Sequence, residues 1–94
     1  MTDSAPTFSA PPMRLGEAHR GFAGVVQGID VNSARSEHDR ADLERRLVEF
    51  GFLEGTRVEI LHEGAIAGDP IAVRVNNLTV ALRRREAMAI VVGA

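Results

Sequence analysis

One amphipathic helix stopped by glycine, inside a chain otherwise patterned for short strands, is the feature that most limits how these residues can fold. Leu43, Leu47 and Phe50 fall at i, i+4 and i+7, a single helical stripe. Asp39, Asp42 and Glu44 come early and Arg45 and Arg46 later, the order that a helix dipole favours. Ser36, with Asp39 three residues on, has the form of a capping box, and Ser33 is a rival N-cap. Gly51 is placed to close the helix in the left-handed conformation, folding Phe52 back on its last turn. Gly55, in Leu53-Glu54-Gly55-Thr56, suits the third position of a type II turn.

Strand alternation accounts for the rest. Phe22, Gly24, Val26 and Gly28 share one face of a first strand, whose glycines suit a strong bend. Val58, Ile60 and His62 oppose Arg57, Glu59 and Leu61, which places His62 in the core-facing row or at its rim. Ile71, Val73 and Val75 form the next inward row, and Asn76-Asn77 tolerates positive φ in a two-residue hairpin leading to Leu78, Val80 and Leu82. Gly68-Asp69-Pro70 reads as a turn before Ile71. Arg84 to Ala87 suits one helical turn, and Met88 to Val92 a last strand. About five short strands with one inserted helix expose fewest edges when closed into a small barrel. The fold class is therefore mainly β with one inserted α-helix.

A chain of 94 residues is one small domain, burying roughly 60–70% of the surface its unfolded form exposes. Residues 1–13 hold three of the four prolines and only one large apolar side chain before Met13, Phe8, which is too little to offset ordering entropy. They are expected to form a disordered tail ahead of a domain at 14–94. No apolar run approaches a membrane span, and the N-terminus lacks a signal-peptide layout, so a cytoplasmic protein without direct membrane insertion is the expectation.

Several chemistries are excluded or disfavoured. There is no cysteine, so no disulfide, thiolate metal site or thiol nucleophile. All 11 basic residues are arginine, so the lysine of a Gly-x-x-x-x-Gly-Lys phosphate loop is missing and nucleotide hydrolysis is not expected. A net charge of −2 and four Phe, with no Tyr or Trp for base stacking, weigh against nucleic acid. His19, His38 and His62 are far apart, so neither a dedicated metal site nor any cofactor is expected.

Four stretches resemble the FeoA family, small cytosolic proteins with an SH3-like barrel associated with bacterial ferrous iron uptake. Arg46-Leu47-Val48-Glu49-Phe50-Gly51-Phe52-Leu53-Glu54-Gly55-Thr56 is similar to the family's R-L-x-x-L/F-G-hydrophobic-x-x-G-T/S. The strand Val58 to Leu61, then Gly68-Asp69-Pro70-Ile71, then Ala81-Leu82-Arg83-Arg84-Arg85-Glu86-Ala87 follow in the family's order. The departures lie in loops: Ile66 where the family often has proline, Asn76-Asn77 where Arg-Gly is usual, and a long segment from Asp30 to Asp39.

The resemblance implies a non-catalytic accessory protein that binds and modulates a ferrous iron transporter of the FeoB type, whose cytosolic part carries a GTPase-like domain. A related barrel closes iron-dependent repressors. Two other roles compete: a metal-responsive interaction module and a nucleic-acid-associated small barrel. Partner contact is expected at Arg46, Leu47, Phe52 and Leu53, with Leu47 and Phe52 at its centre; Phe52 and Leu53, just after the helix end, are expected to be partly covered apolar groups rimmed by Arg45, Arg46 and Glu49. Gly68, Asp69 and Pro70 form a second candidate contact.

Overall fold

The computed structural model describes residues 13–32 and 36–94. Strand β1 is Met13–Arg14, followed by a 3₁₀ turn at Leu15–Glu17. Strand β2 is Ala23–Ile29, helix α1 Glu37–Phe50, β3 Arg57–Gly64, β4 Gly68–Val75 and β5 Leu78–Leu82. A single helical turn, α2 at Arg84–Ala87, precedes β6 at Ile90–Gly93. The strands form one antiparallel sheet in the order β1-β6-β2-β3-β4-β5.

The mainly β fold with one inserted helix is thus observed, with six strands rather than about five. The additional strand, β1, pairs Met13 with Val92. The expected tail up to residue 12 and the alternative cap Ser33 lie outside the described residues.

Helix α1 begins and ends as its sequence dictates. Ser36 Oγ accepts a hydrogen bond from the Asp39 N–H at 3.1 Å, satisfying one of the donors that a helix start leaves free. At the other end Gly51 adopts φ 106°, and the Phe52 N–H donates back to the Leu47 carbonyl at 3.0 Å. The Thr56 N–H donates to the Leu53 carbonyl across Gly55 at φ 89°, so the two glycine turns come four residues apart.

Inward rows from the sheet and helix meet in one core. Val26, Val58, Ile60, Ile71, Val73, Val75, Leu82, Ile90 and Val92 are buried with Leu15, Leu47 and Phe52, and Leu43 and Phe50 pack against them. The rings of Phe50 and Phe52 meet edge to face with centroids 6.5 Å apart, a favourable arrangement for aromatic quadrupoles.

Strand β3 departs from simple alternation. Ile60 pairs with Val73 and His62 with Ala72, so Leu61 is the extra residue of a bulge. Beyond the bulge the faces exchange. His62, expected in the inward row, is exposed, and Glu63 takes that row opposite the fully buried Ile71. Gly68-Asp69-Pro70 also differs from expectation, because these residues open β4 instead of forming the turn. Gly64 pairs with Gly68, leaving Ala65 to Ala67 as the hairpin tip, and a Cβ on Gly64 would run into the Asp69 carbonyl. The Asp69-Pro70 peptide is cis. Asn76 at φ 57° makes the expected two-residue hairpin between Val75 and Leu78. Among the described residues no helix is long and apolar enough to cross a membrane.

Gly51 carries two constraints, its positive φ and a helix end seated on the β4–β5 hairpin, where an added Cβ would lie 2.7 Å from Asn76 Nδ2. Gly51→Ala is expected to cost about 1–2 kcal/mol. Urea unfolding should show a lower midpoint with unchanged slope.

Candidate interaction surface

The bulge in β3 has a chemical consequence: it aims a carboxylate at the place where α2 begins. Arg84, the first residue of α2, has a side chain only 18% exposed. Its Nη2 donates to Glu63 Oε1 at 2.6 Å, its Nε to the Gly68 carbonyl at 3.0 Å, and its Nη1 to the carbonyls of Gly16 at 3.0 Å and Ala18 at 2.7 Å. The Arg84 backbone N–H donates to Asp69 Oδ1 at 2.9 Å. One guanidinium therefore ties the 3₁₀ turn, the β3–β4 hairpin and α2 together.

Glu63 serves further donors. Its Oε2 accepts from the Arg20 N–H at 2.9 Å, and Oε1 lies 3.2 Å from His19 Nδ1. The backbone donor of Arg20, then His19, then the charges of His19 and Arg84 hold the carboxyl below its ordinary value of 4.5, against the opposing effect of burial. Among the described residues no three His, Asp or Glu side chains cluster in a way that could hold a metal ion.

The residues expected to meet a partner divide between two places. Arg46 is exposed on α1, and its Nη1 donates to Glu86 Oε2 at 2.9 Å, linking the long helix to α2. Leu47 is 1% exposed, as a member of the helical stripe, and Phe52 is fully buried, which corrects the expectation that its ring is only partly covered. The Gly51 cap turns the Phe52 ring into the core, so the next side chain points out. Leu53 is 51% exposed, and Val48, one helix turn from Phe52, is also exposed. Leu78, beyond the Asn76 side chain that meets Gly51, is a third exposed apolar group at this end of the sheet. Val48 lies outside the helical stripe, whereas alternation puts Leu78 in the row of Val80 and Leu82 and gives no sign of its exposure.

Gly68 and Asp69 are half-buried and Pro70 is exposed. Gly68 and Asp69 are occupied by Arg84, so their backbone and carboxylate hold the hairpin. Ile66 at the tip is 82% exposed. The structure therefore does not bring the two expected groups into one patch through their side chains. They are linked through α2, where Glu86 holds Arg46 and Arg84 holds Gly68.

The family model of the FeoA domain matches residues 13–94. The chain belongs to the FeoA family. Among solved structures, it resembles the FeoA of Stenotrophomonas maltophilia, crystallised with zinc and described as a procaryotic SH3 domain protein proposed as a bacterial ferrous iron transport activating factor. That match has a TM-score of 0.72 at 32% identity and covers 85% of this chain and 88% of that one. A FeoA-like protein of Clostridium acetobutylicum matches with a TM-score of 0.70 at 29% identity over 88% and 86% of the two chains. A manganese-dependent transcriptional repressor matches 95% of this chain with 44% of its own, with a TM-score of 0.71 at 28% identity. No curated protein matches. The FeoA resemblance and the SH3-like architecture are thereby established.

Two predictions follow from the Arg84 arrangement. Arg84→Ala leaves three carbonyls and Glu63 without their donor and is expected to destabilise the domain by about 2–4 kcal/mol, read from chemical denaturation. A lysine cannot match the fork of donors, so Arg84→Lys should recover only part of the loss. Because the folded Glu63 pKa is depressed, its stabilising contribution is full above the ordinary value of 4.5 and is lost as pH falls through the lower folded value. Acid unfolding of the wild type should show that loss, and Glu63→Gln should flatten it.

Proposed function

We propose that this chain is a non-catalytic cytoplasmic accessory protein that binds and modulates a ferrous iron transporter of the FeoB type. The observation that carries the reading is the FeoA-domain match across residues 13–94. The description of the similar Stenotrophomonas maltophilia protein as a ferrous iron transport activating factor supports it. The docking corner lies at the C-terminal end of α1, where Leu53 and Val48 are exposed apolar groups and Arg46 supplies a charged rim. Apolar groups beside arginine are the usual composition of a protein interface. Gly68, Asp69 and Pro70 act on the partner through the shape of the hairpin they hold, with Pro70 and Ile66 on its outside.

A binder of this kind shifts its partner only by preferring one of the partner's conformations, so the nucleotide state of the transporter's GTPase-like part is the variable to control. The test is capture of the full-length cognate transporter, in detergent, on this protein with and without guanine nucleotide. Saturable capture is expected, reduced about tenfold by Leu53→Asp in a variant whose melting temperature is unchanged. Undiminished capture by Leu53→Asp would move the docking face elsewhere. No capture under any nucleotide condition would sink the transporter reading.

A further inference from the structure

The face of the sheet turned away from the core carries a second feature that neither the corner nor the hairpin uses. A cavity of about 550 Å³ lies open on β2, β3 and β4, lined by Ala23, Thr56, Arg57, Glu59, Arg74 and Asn76 among others. Register explains the lining. Glu59 pairs with Ala23 on one side and Arg74 on the other, and Arg57 pairs with Val25. Continuing the β3–β4 ladder sets Arg57 diagonally from Arg74, a separation of about 7–8 Å between such positions. Ala23, a small side chain, lies across β3 from Arg74, beside Glu59.

Both guanidiniums are exposed, and among the described residues neither has an ion pair or a hydrogen bond. That is unlike Arg14, Arg45, Arg46 and Arg84, each of which is engaged with a carboxylate. Glu59 faces the same cavity without an ion pair of its own.

We propose that this groove binds an extended acidic segment of a protein partner, with carboxylates at alternate positions. Side chains two apart on an extended chain project to the same side with a spacing of about 6.8 Å, which matches the diagonal between the two arginines. Each guanidinium presents a planar fork to a carboxylate. The strands beneath are already paired on both sides, so recognition falls to the side chains. Glu59, beside Arg57 on β3 and opposite Arg74 on β4, opposes a continuous polyanion, and among the described residues no aromatic side chain lines the cavity for a base to stack on. Both features favour an acidic peptide over RNA. The inference rests on the accessory-protein reading for its setting only, because a free peptide tests the groove without the transporter.

The experiment is a ¹⁵N–¹H correlation titration of the full chain with a peptide of about ten residues alternating Glu with Ser. Its Gln counterpart, inorganic phosphate and a single-stranded RNA serve as the other probes. Saturable shifts confined to Ala23, Thr56–Glu59 and Arg74–Asn76 are expected for the acidic peptide, weakening as salt rises. Arg57→Gln with Arg74→Gln should lower affinity about tenfold, and Glu59→Gln should raise it. Arg57 and Arg74 are exposed and Glu59 is half-buried, and retained dispersion of the remaining peaks verifies the fold. The proposal is overturned if the acidic peptide causes no shifts there, if the Gln peptide binds equally, or if the double variant keeps full affinity. Phosphate or RNA binding the groove as tightly as the peptide would overturn it as well.

Discussion

Closure of this barrel depends on a guanidinium where no strand pairing is available. In the strand order, β1 and β5 are the two ends of the sheet and no ladder joins them. Arg84 bridges those ends. It takes the carbonyls of Gly16 and Ala18 just after β1, and that of Gly68 at the start of β4, the neighbour of β5. Arginine is the one side chain that serves three carbonyls and a carboxylate from a single plane. Glu63 compensates its charge, and the bulge at Leu61 puts Glu63 there. A backbone irregularity, a half-buried ion pair and barrel closure are thus one structural device.

That device marks the limit of what the sequence discloses. Local signals were readable because each rests on a neighbouring residue: Ser36 on Asp39, Gly51 on Phe52, Asn76 on the strands it joins. The bulge has no such signature. Without it, alternation carries His62 inward and Glu63 outward, the reverse of what is found. Arg84 was equally hidden, since three consecutive arginines look alike until the fold gives one of them four acceptors. Gly68-Asp69-Pro70 resembles a turn by composition, but the pairing of Gly64 with Gly68 draws it into β4. These are long-range effects, and spacing along the chain does not encode them.

Phe52 and Leu53 make the same point for the candidate site. Both are large, apolar and adjacent to a glycine cap, and nothing in composition separates them. The geometry does. The Phe52 N–H closes on the Leu47 carbonyl, which commits the ring to the core and turns Leu53 out. Most of the stretch that resembles the FeoA motif therefore builds the fold: Leu47, Gly51 and Phe52 pack or cap, and Arg46 binds Glu86. A family signature of this kind identifies the scaffold more directly than it identifies the contact surface. The exposed apolar groups of that stretch, Val48 and Leu53, stand at its variable positions.

The arginines divide along the same line. Arg84 is spent on the interior and Arg46 on holding α2, so altering either disturbs the scaffold before it disturbs a partner. Among the described residues Arg57 and Arg74 have no ion pair on the middle strands of the sheet, so on the proposed reading a change there would alter recognition at little structural cost. Strands β2, β3 and β4 are anchored on both sides and backed by Val58, Ile60, Val73 and Val75. Little ordering entropy is then lost when a ligand settles on that face. A domain built this way does not need to change shape to influence a partner. On the proposed reading it offers fixed surfaces, and the conformation of the partner that fits them best would become the populated one.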